Sequence, residues 1–192
     1  MRRFLRKSSV QREPLAVTMT GVRMGERVLQ IGLADRQLTA MLVSRPGLSG
    51  QAAIAVADEA TAAKARAAAV ESGALVDVHV SPLEALPISD GAFDVVIVHN
   101  AAGTLAARDA AARVRVMAEC RRVLRAGGRL IALEPGTPSG VAALLRRAPA
   151  IDPAYEGAGG TAAVLEAAGF RPVRLLADRE GIRFIEGLRT SP

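Results

Sequence analysis

PVRLLADREGIRFIE, residues 172–186, decides the fold. It holds two apolar runs, 172–177 and 182–186, with only Asp178-Arg179-Glu180-Gly181 between them. So short a gap cannot hold a crossover helix, so the two runs pair as an antiparallel hairpin. Upstream the pattern changes. Short apolar runs at 27–31 (RVLQI), 52–57 (AAIAVA), 74–80 (ALVDVHV), 93–98 (FDVVIV) and 129–133 (RLIAL) alternate with stretches of helical spacing. The spacing predicts helices over 14–22, 36–44 behind the cap Asp35, and an Ala-rich run that Asp58 caps and Gly73 ends. Two more are predicted over 106–125, stopped by Gly127-Gly128, and 161–168. Strands alternating with helices imply a parallel sheet with right-handed crossovers. The expected fold is therefore α/β, a three-layer sandwich around a mostly parallel seven-stranded Rossmann-like sheet with a C-terminal antiparallel hairpin.

The composition narrows the partners. With 192 residues one domain is expected, residues 1–25 forming a basic tail and short helix and 26–192 the folded unit. Half the residues are hydrophobic but only 3% are aromatic, so Val, Leu, Ile and Ala must build the core, as suits a buried parallel sheet. The net charge is +6, yet few aromatics are present to stack bases, and no nucleic-acid partner is expected. Arg2, Arg3, Arg6, Lys7 and Arg12 read as a solvated tail, or as a weak contact for an anionic membrane or partner. The single cysteine, Cys120, excludes an internal disulfide and any cysteine-built metal site, and its helical setting suggests a buried structural thiol. No metal site is expected. No apolar stretch is long enough to span a bilayer, and none follows the basic start as a secretory signal requires, so a cytoplasmic protein is the default.

In open sheets of this kind ligands sit outside the carboxyl ends of the strands, at the point where strand order reverses. The candidates are therefore Gly32–Asp35, Asp58-Glu59, Ser81–Leu83, His99-Asn100 and Glu134-Pro135. Three motifs then carry a resemblance. They are Leu86-Pro87 followed by Asp90-Gly91-Ala92-Phe93-Asp94-Val95-Val96, then Arg122-Val123-Leu124-Arg125-Ala126-Gly127-Gly128-Arg129-Leu130, then Ala167-Ala168-Gly169-Phe170. In order and spacing these resemble class I S-adenosylmethionine-dependent methyltransferases, in particular the small-molecule branch often called type 11. The resemblance covers about residues 26 to 187.

The resemblance implies S-adenosylmethionine as cofactor, a small-molecule methyl acceptor, and a set of site residues. The first strand of the family ends in an acid followed by a Gly-x-Gly-x-Gly loop. This chain has Gln30 at the acid, Gly32 as the one matching glycine, and Leu33, Ala34, Asp35 and Arg36 after it. Gln30, Gly32 and Asp35 are thus placed against the cofactor. Asp58 and Glu59 stand near the acid that bonds the ribose hydroxyls, with the alternative that Asp58 only caps its helix and Glu59 complements the helix dipole. Ser81 and Leu83 fall where the adenine is held, and His99 and Asn100 where cofactor and acceptor meet. His99 is the best candidate for a catalytic base, because an imidazole titrates near neutrality. His79 lies inside a strand and is set aside. Residues 136–160 hold the only tyrosine, Tyr155, with Asp152 and Glu156, and are expected to pass over the crevice as an acceptor pocket, a lid or an ordinary surface connection.

Two other readings stay open. The lost glycines fit a non-catalytic methyltransferase-like binding or scaffold protein, with Leu33 or Arg36 filling the crevice. A nicotinamide-dependent oxidoreductase would need Gly-x-Gly-x-x-Gly after the first strand, which Gly32-Leu33-Ala34-Asp35-Arg36-Gln37 does not supply.

Overall fold

The structure is a computed structural model and describes residues 14–33, 35–100, 104 and 105, 107–136 and 153–190. The expected basic tail at 1–13 and Asp152 lie outside the described residues. The elements in chain order are α1 (Leu15–Thr20), β1 (Arg27–Ile31), α2 (Arg36–Ser44), β2 (Gln51–Val56), α3 (Glu59–Ser72), β3 (Val76–Val80) and β4 (Phe93–His99). There follow α4 (Ala110–Val123), β5 (Leu124–Pro135), α5 (Pro153–Gly157), α6 (Gly160–Ala167), β6 (Val173–Arg179) and β7 (Ile182–Leu188). The seven strands form one sheet in the order β3-β2-β1-β4-β5-β7-β6. β1 to β5 run parallel, and β7 is antiparallel to both β5 and β6. The strand order reverses between β1 and β4, so the crevice expected outside their carboxyl ends has its place.

Side chains alternate across this sheet and bury two apolar layers. On one face Leu29, Val96, Val98 and Leu130 pack with Val116, Met117 and Cys120 of α4 and Leu165 of α6. On the other, Val28, Val95, Ile97 and Ile131 meet Val17 of α1 and Leu42 of α2, while Ile54 and Val56 meet Ala62 and Ala65 of α3. Cys120 is fully buried, and burial pushes its thiol up to about 12, so it serves packing and not nucleophilic chemistry.

The motif segments prove to be fasteners. Arg122 of α4 donates to the carbonyls of Leu86 (3.1 Å) and Ile88 (2.7 Å) and pairs with Asp90 (2.6 Å) and Glu119 (2.8 Å), which fixes the connection from β3 to β4. Asp94 accepts from the Arg27 backbone N–H at 2.7 Å and from the guanidiniums of Arg27 and Arg125. Burial alone would raise its pKa, but these hydrogen bonds win and hold the carboxyl at about 2. Phe170 is fully buried against Gly187, where an added Cβ would approach its ring at 3.0 Å.

Four expectations need correction. The helix expected over 106–125 begins at Ala110, because the Asp109 side chain caps it through Ala112 N–H at 2.7 Å. It also ends at Val123, before the glycines, and Gly127-Gly128 lie inside β5. There Leu124 pairs with Phe93 and Arg129 with Val95, an irregularity that Gly127 absorbs at φ 72°. β3 starts at Val76 and not at 74, leaving Leu75 exposed. The final connection is two residues, not four: Asp178 and Arg179 continue β6, and Glu180-Gly181 turn with φ 56° and 74°. Two positive φ values make the primed turn whose twist suits a hairpin.

Candidate active site

Each strand that ends at the carboxyl rim hands over to a turn or a helix cap. β1 stops at Gly32, whose N–H donates to Ala55 O at 2.9 Å and whose φ is 75°. A Cβ there would lie 2.7 Å from Thr104 Oγ1. Glycine therefore allows the chain to turn while the Thr104 segment approaches closely. The space beside it is a cavity of about 350 Å³, within the range of small-molecule sites. Gly32 and Leu33 line it from β1, Val56, Ala57 and Asp58 from β2, Thr61 and Lys64 from α3, and Leu83, Thr104 and Arg108 from the connections after β3 and β4.

This cavity gathers some of the expected residues and not others. Gly32, Asp58 and Leu83 line it. Asp58 accepts from Thr61 N–H at 2.8 Å and from Thr61 Oγ1 at 2.9 Å, and these bonds, the backbone one foremost, hold its pKa below the usual carboxylate range. Helix capping and cavity lining thus fall on one residue. Glu59 pairs with Arg66 along α3 and is no part of the lining. Asp35 caps α2 through Leu38 N–H at 2.9 Å and lines a separate groove with Leu15 and Ile182. Arg36 points away to Glu71 at 2.6 Å, so of the two suspected plugs only Leu33 is at the cavity, as part of its wall. The Ser81 hydroxyl is buried without a hydrogen-bond partner among the described residues, two positions from Leu83.

Gln30 and His99 are brought together, but inside the sheet. They are 1% and 2% exposed, and Gln30 Oε1 meets His99 Nε2 at 2.7 Å. Because an amide oxygen only accepts, this pairing puts the imidazole proton on Nε2. Gln30 Nε2 has no partner among the described residues. Burial pushes the His99 pKa down to about 4 against a smaller pull from Asp35, so the imidazole is neutral at neutral pH.

Asn100 belongs to a second cluster. Its Oδ1 accepts from Leu105 N–H at 2.9 Å, and its Nδ2 faces Thr161 Oγ1 at 3.4 Å and Glu134 Oε2 at 3.5 Å. Thr161 donates to Glu134 and meets the Tyr155 hydroxyl at 2.6 Å. Glu134 also pairs with Arg183 at 3.4 Å. Tyr155 is buried and lines a second cavity of about 540 Å³, together with Glu156.

Sequence reasoning missed Thr61, Lys64, Thr104 and Arg108. Thr61 and Lys64 carried one readable signal: each follows its predecessor, Asp58 and then Thr61, by three residues, the spacing of helical neighbours. Arg108 is held by Glu84 at 2.9 Å, a pairing that no local pattern announces.

Comparison with known proteins fits this geometry. The family described as Methyltransferase domain matches residues 29–132. Two curated relatives are named Ubiquinone/menaquinone biosynthesis C-methyltransferase UbiE. The one from Teredinibacter turnerae is 32% identical over 124 residues, 64% of this chain and 48% of that protein. The one from Chromobacterium violaceum is 30% identical over 118 residues, 62% of this chain and 46% of that protein. The chain thus spans about half the length of the curated relatives it matches. Among solved structures, a SAM dependent methyltransferase from Aquifex aeolicus superposes with a TM-score of 0.67 at 17% identity, over 90% of this chain and 87% of that one. The [4+2]-cyclase SpnF superposes with a TM-score of 0.62 at 18% identity, over 93% and 79%.

Proposed function

We infer the function from one premise: the chain belongs to the methyltransferase domain family. It acts, in our reading, as an S-adenosylmethionine-dependent methyltransferase on a small-molecule acceptor. The relatives' name makes carbon the first target atom to test. The observation that carries the reading is the cavity beside Gly32, at the strand-order reversal, which neither Leu33 nor Arg36 fills.

The residues present fit a nucleoside. Gly32 provides a backbone cradle that a Cβ would close. Leu83 offers an apolar surface for an adenine, and the orphaned Ser81 hydroxyl lies close by in sequence. Asp58 keeps acceptor capacity for ribose hydroxyls, because a carboxylate has about four lone-pair positions and Thr61 takes two. Gln30, His99 and Asn100 support this cradle from behind, joining the ends of β1, β4 and β5. Asp35 and Glu59, expected at the cofactor, serve α2 and α3 in this reading.

Bound S-adenosylmethionine supplies an electrophilic sulfonium methyl. The protein's part is then chiefly alignment, which contributes roughly 7–11 kcal/mol when reactants are held in line. His99 acts as a strut and not as a base: its Nε2 proton is donated to Gln30 and its pKa is about 4. No helix among the described residues is long and apolar enough to cross a membrane, and none of their His, Cys, Asp and Glu side chains cluster as a metal site. The cytoplasmic setting expected from the sequence goes with this reading.

Calorimetric titration with S-adenosylhomocysteine tests it. Saturable heat and a raised melting temperature are expected; neither at millimolar ligand would remove the enzyme reading. A non-catalytic scaffold is the second reading, favoured by one observation: Thr61 and Arg66 already engage the carboxylates of Asp58 and Glu59. The SpnF likeness adds that this architecture leaves the reaction open.

A further inference from the structure

The larger cavity plays no part in that cradle. It lies on the α4–α6 face, beneath α5 and α6 and above the β5-β7-β6 end of the sheet. Val173 and Ile185 give it an apolar wall, and Glu134, Tyr155, Thr161 and Arg183 a polar one. Glu134 is 2% exposed, Thr161 0% and Tyr155 2%.

Counting hydrogens shows what the polar wall lacks. Thr161 has one hydroxyl proton, and it goes to Glu134 Oε2. The 2.6 Å contact between Tyr155 and Thr161 therefore takes its proton from Tyr155. Asn100 Nδ2 faces Glu134 and Thr161 and also hydrogen-bonds the Tyr155 oxygen. Arg183 engages Glu134 and Glu156 through Nη1 and Asp178 through Nε. With its own proton on Thr161, the tyrosine oxygen can only accept, so a ligand that bonds to it must donate.

The same network reaches the cofactor cavity. Asn100 Oδ1 holds Leu105 N–H, and Thr104, one residue back, lines the cavity beside Gly32. Arg113 lies 4.3 Å over the Tyr155 ring, and its Nε donates to Leu105 O at 3.0 Å. Asn100 and Arg113 thus tie the Tyr155 cluster to Leu105, the residue after Thr104.

We propose that the second cavity is the methyl acceptor's site, an assignment that rests on the methyltransferase reading, and that it selects an apolar body carrying a hydroxyl received by Tyr155. The chain has one tyrosine and no tryptophan, so incorporating 3-fluorotyrosine puts a single fluorine label in this wall. Phenol is the probe, and anisole is the same ring without the donor. Phenol is expected to move the label's resonance saturably, with anisole binding at least about tenfold more weakly, the worth of one hydrogen bond. Tyr155→Phe, followed by calorimetry, is expected to weaken phenol about tenfold while the unfolding transition stays cooperative. Equal affinity for phenol and anisole, or no shift with either at millimolar concentration, overturns the assignment. S-adenosylhomocysteine is titrated separately. Heat from it without a phenol response sinks the acceptor site alone. A phenol response without that heat sinks the methyltransferase reading and leaves a hydroxyl-selective site.

Discussion

Gly32 and His99 show how much one residue decides at the rim of this sheet. A Cβ at position 32 meets Thr104 Oγ1 at 2.7 Å, and the backbone there has φ 75°. Gly32→Ala is expected to cost about 1–2 kcal/mol of stability for the left-handed backbone, and to weaken S-adenosylhomocysteine by more than about tenfold through displacement of the Thr104 wall. Denaturant melts and calorimetry read the two effects separately. His99 makes a pH prediction. Its folded-state pKa of about 4 lies below the ordinary 6.5, so the unfolded chain binds more protons between those values. Stability is therefore full above pH 6.5 and declines as pH falls towards 4, by about 3 kcal/mol in all. Urea melts across this window should show that decline, and His99→Asn should flatten it from a lower starting stability. Where such residues sit is legible in the sequence, since strand ends can be read from apolar runs. What they do is not. Asp58 reads equally as cap and as ribose ligand, and only the fold shows it capping α3 while lining the cavity.

Elements were legible wherever the apolar period was uninterrupted, as in β1, β4 and the terminal pair. They blurred where glycine has two meanings. Gly127-Gly128 looks like a helix stop, and the helix does end nearby, but the glycines serve the irregular start of β5. The turn between β6 and β7 looks longer in the sequence than it is because Asp178 and Arg179 are polar. Edge-strand residues can be polar without leaving the ladder, and both pair with β7. Glu180, at φ 56°, carries the backbone cost of that turn. Glu180→Asn is expected to stabilise the fold by about 0.5–1 kcal/mol, because asparagine tolerates this conformation better; an unchanged denaturation midpoint would contradict it. Arg122 joins α4 to the β3–β4 connection through two carbonyls and two carboxylates. Arg122→Ala is expected to cost about 2–3 kcal/mol, chiefly from orphaned acceptors and less from the exposed Asp90 pair. Arg122→Lys should recover only part of it, since an ammonium lacks the fork that reaches both sides.

Across the whole molecule, the sheet separates duties by end. The amino ends of the strands are tied by Arg27, Arg125 and Asp94, and by Arg129 with Glu26, while the cavity beside Gly32 lies at the carboxyl ends of β1 and β2. The strand order has a consequence for synthesis. β7, made after both of its neighbours, lies between β5 and β6. A ribosome therefore delivers β6 before any partner for it exists, and the flank of β5 stays bare until Ile182–Leu188 emerge. For that interval the nascent chain presents an unpaired edge on each side of a gap, the condition under which a growing polypeptide most needs a chaperone.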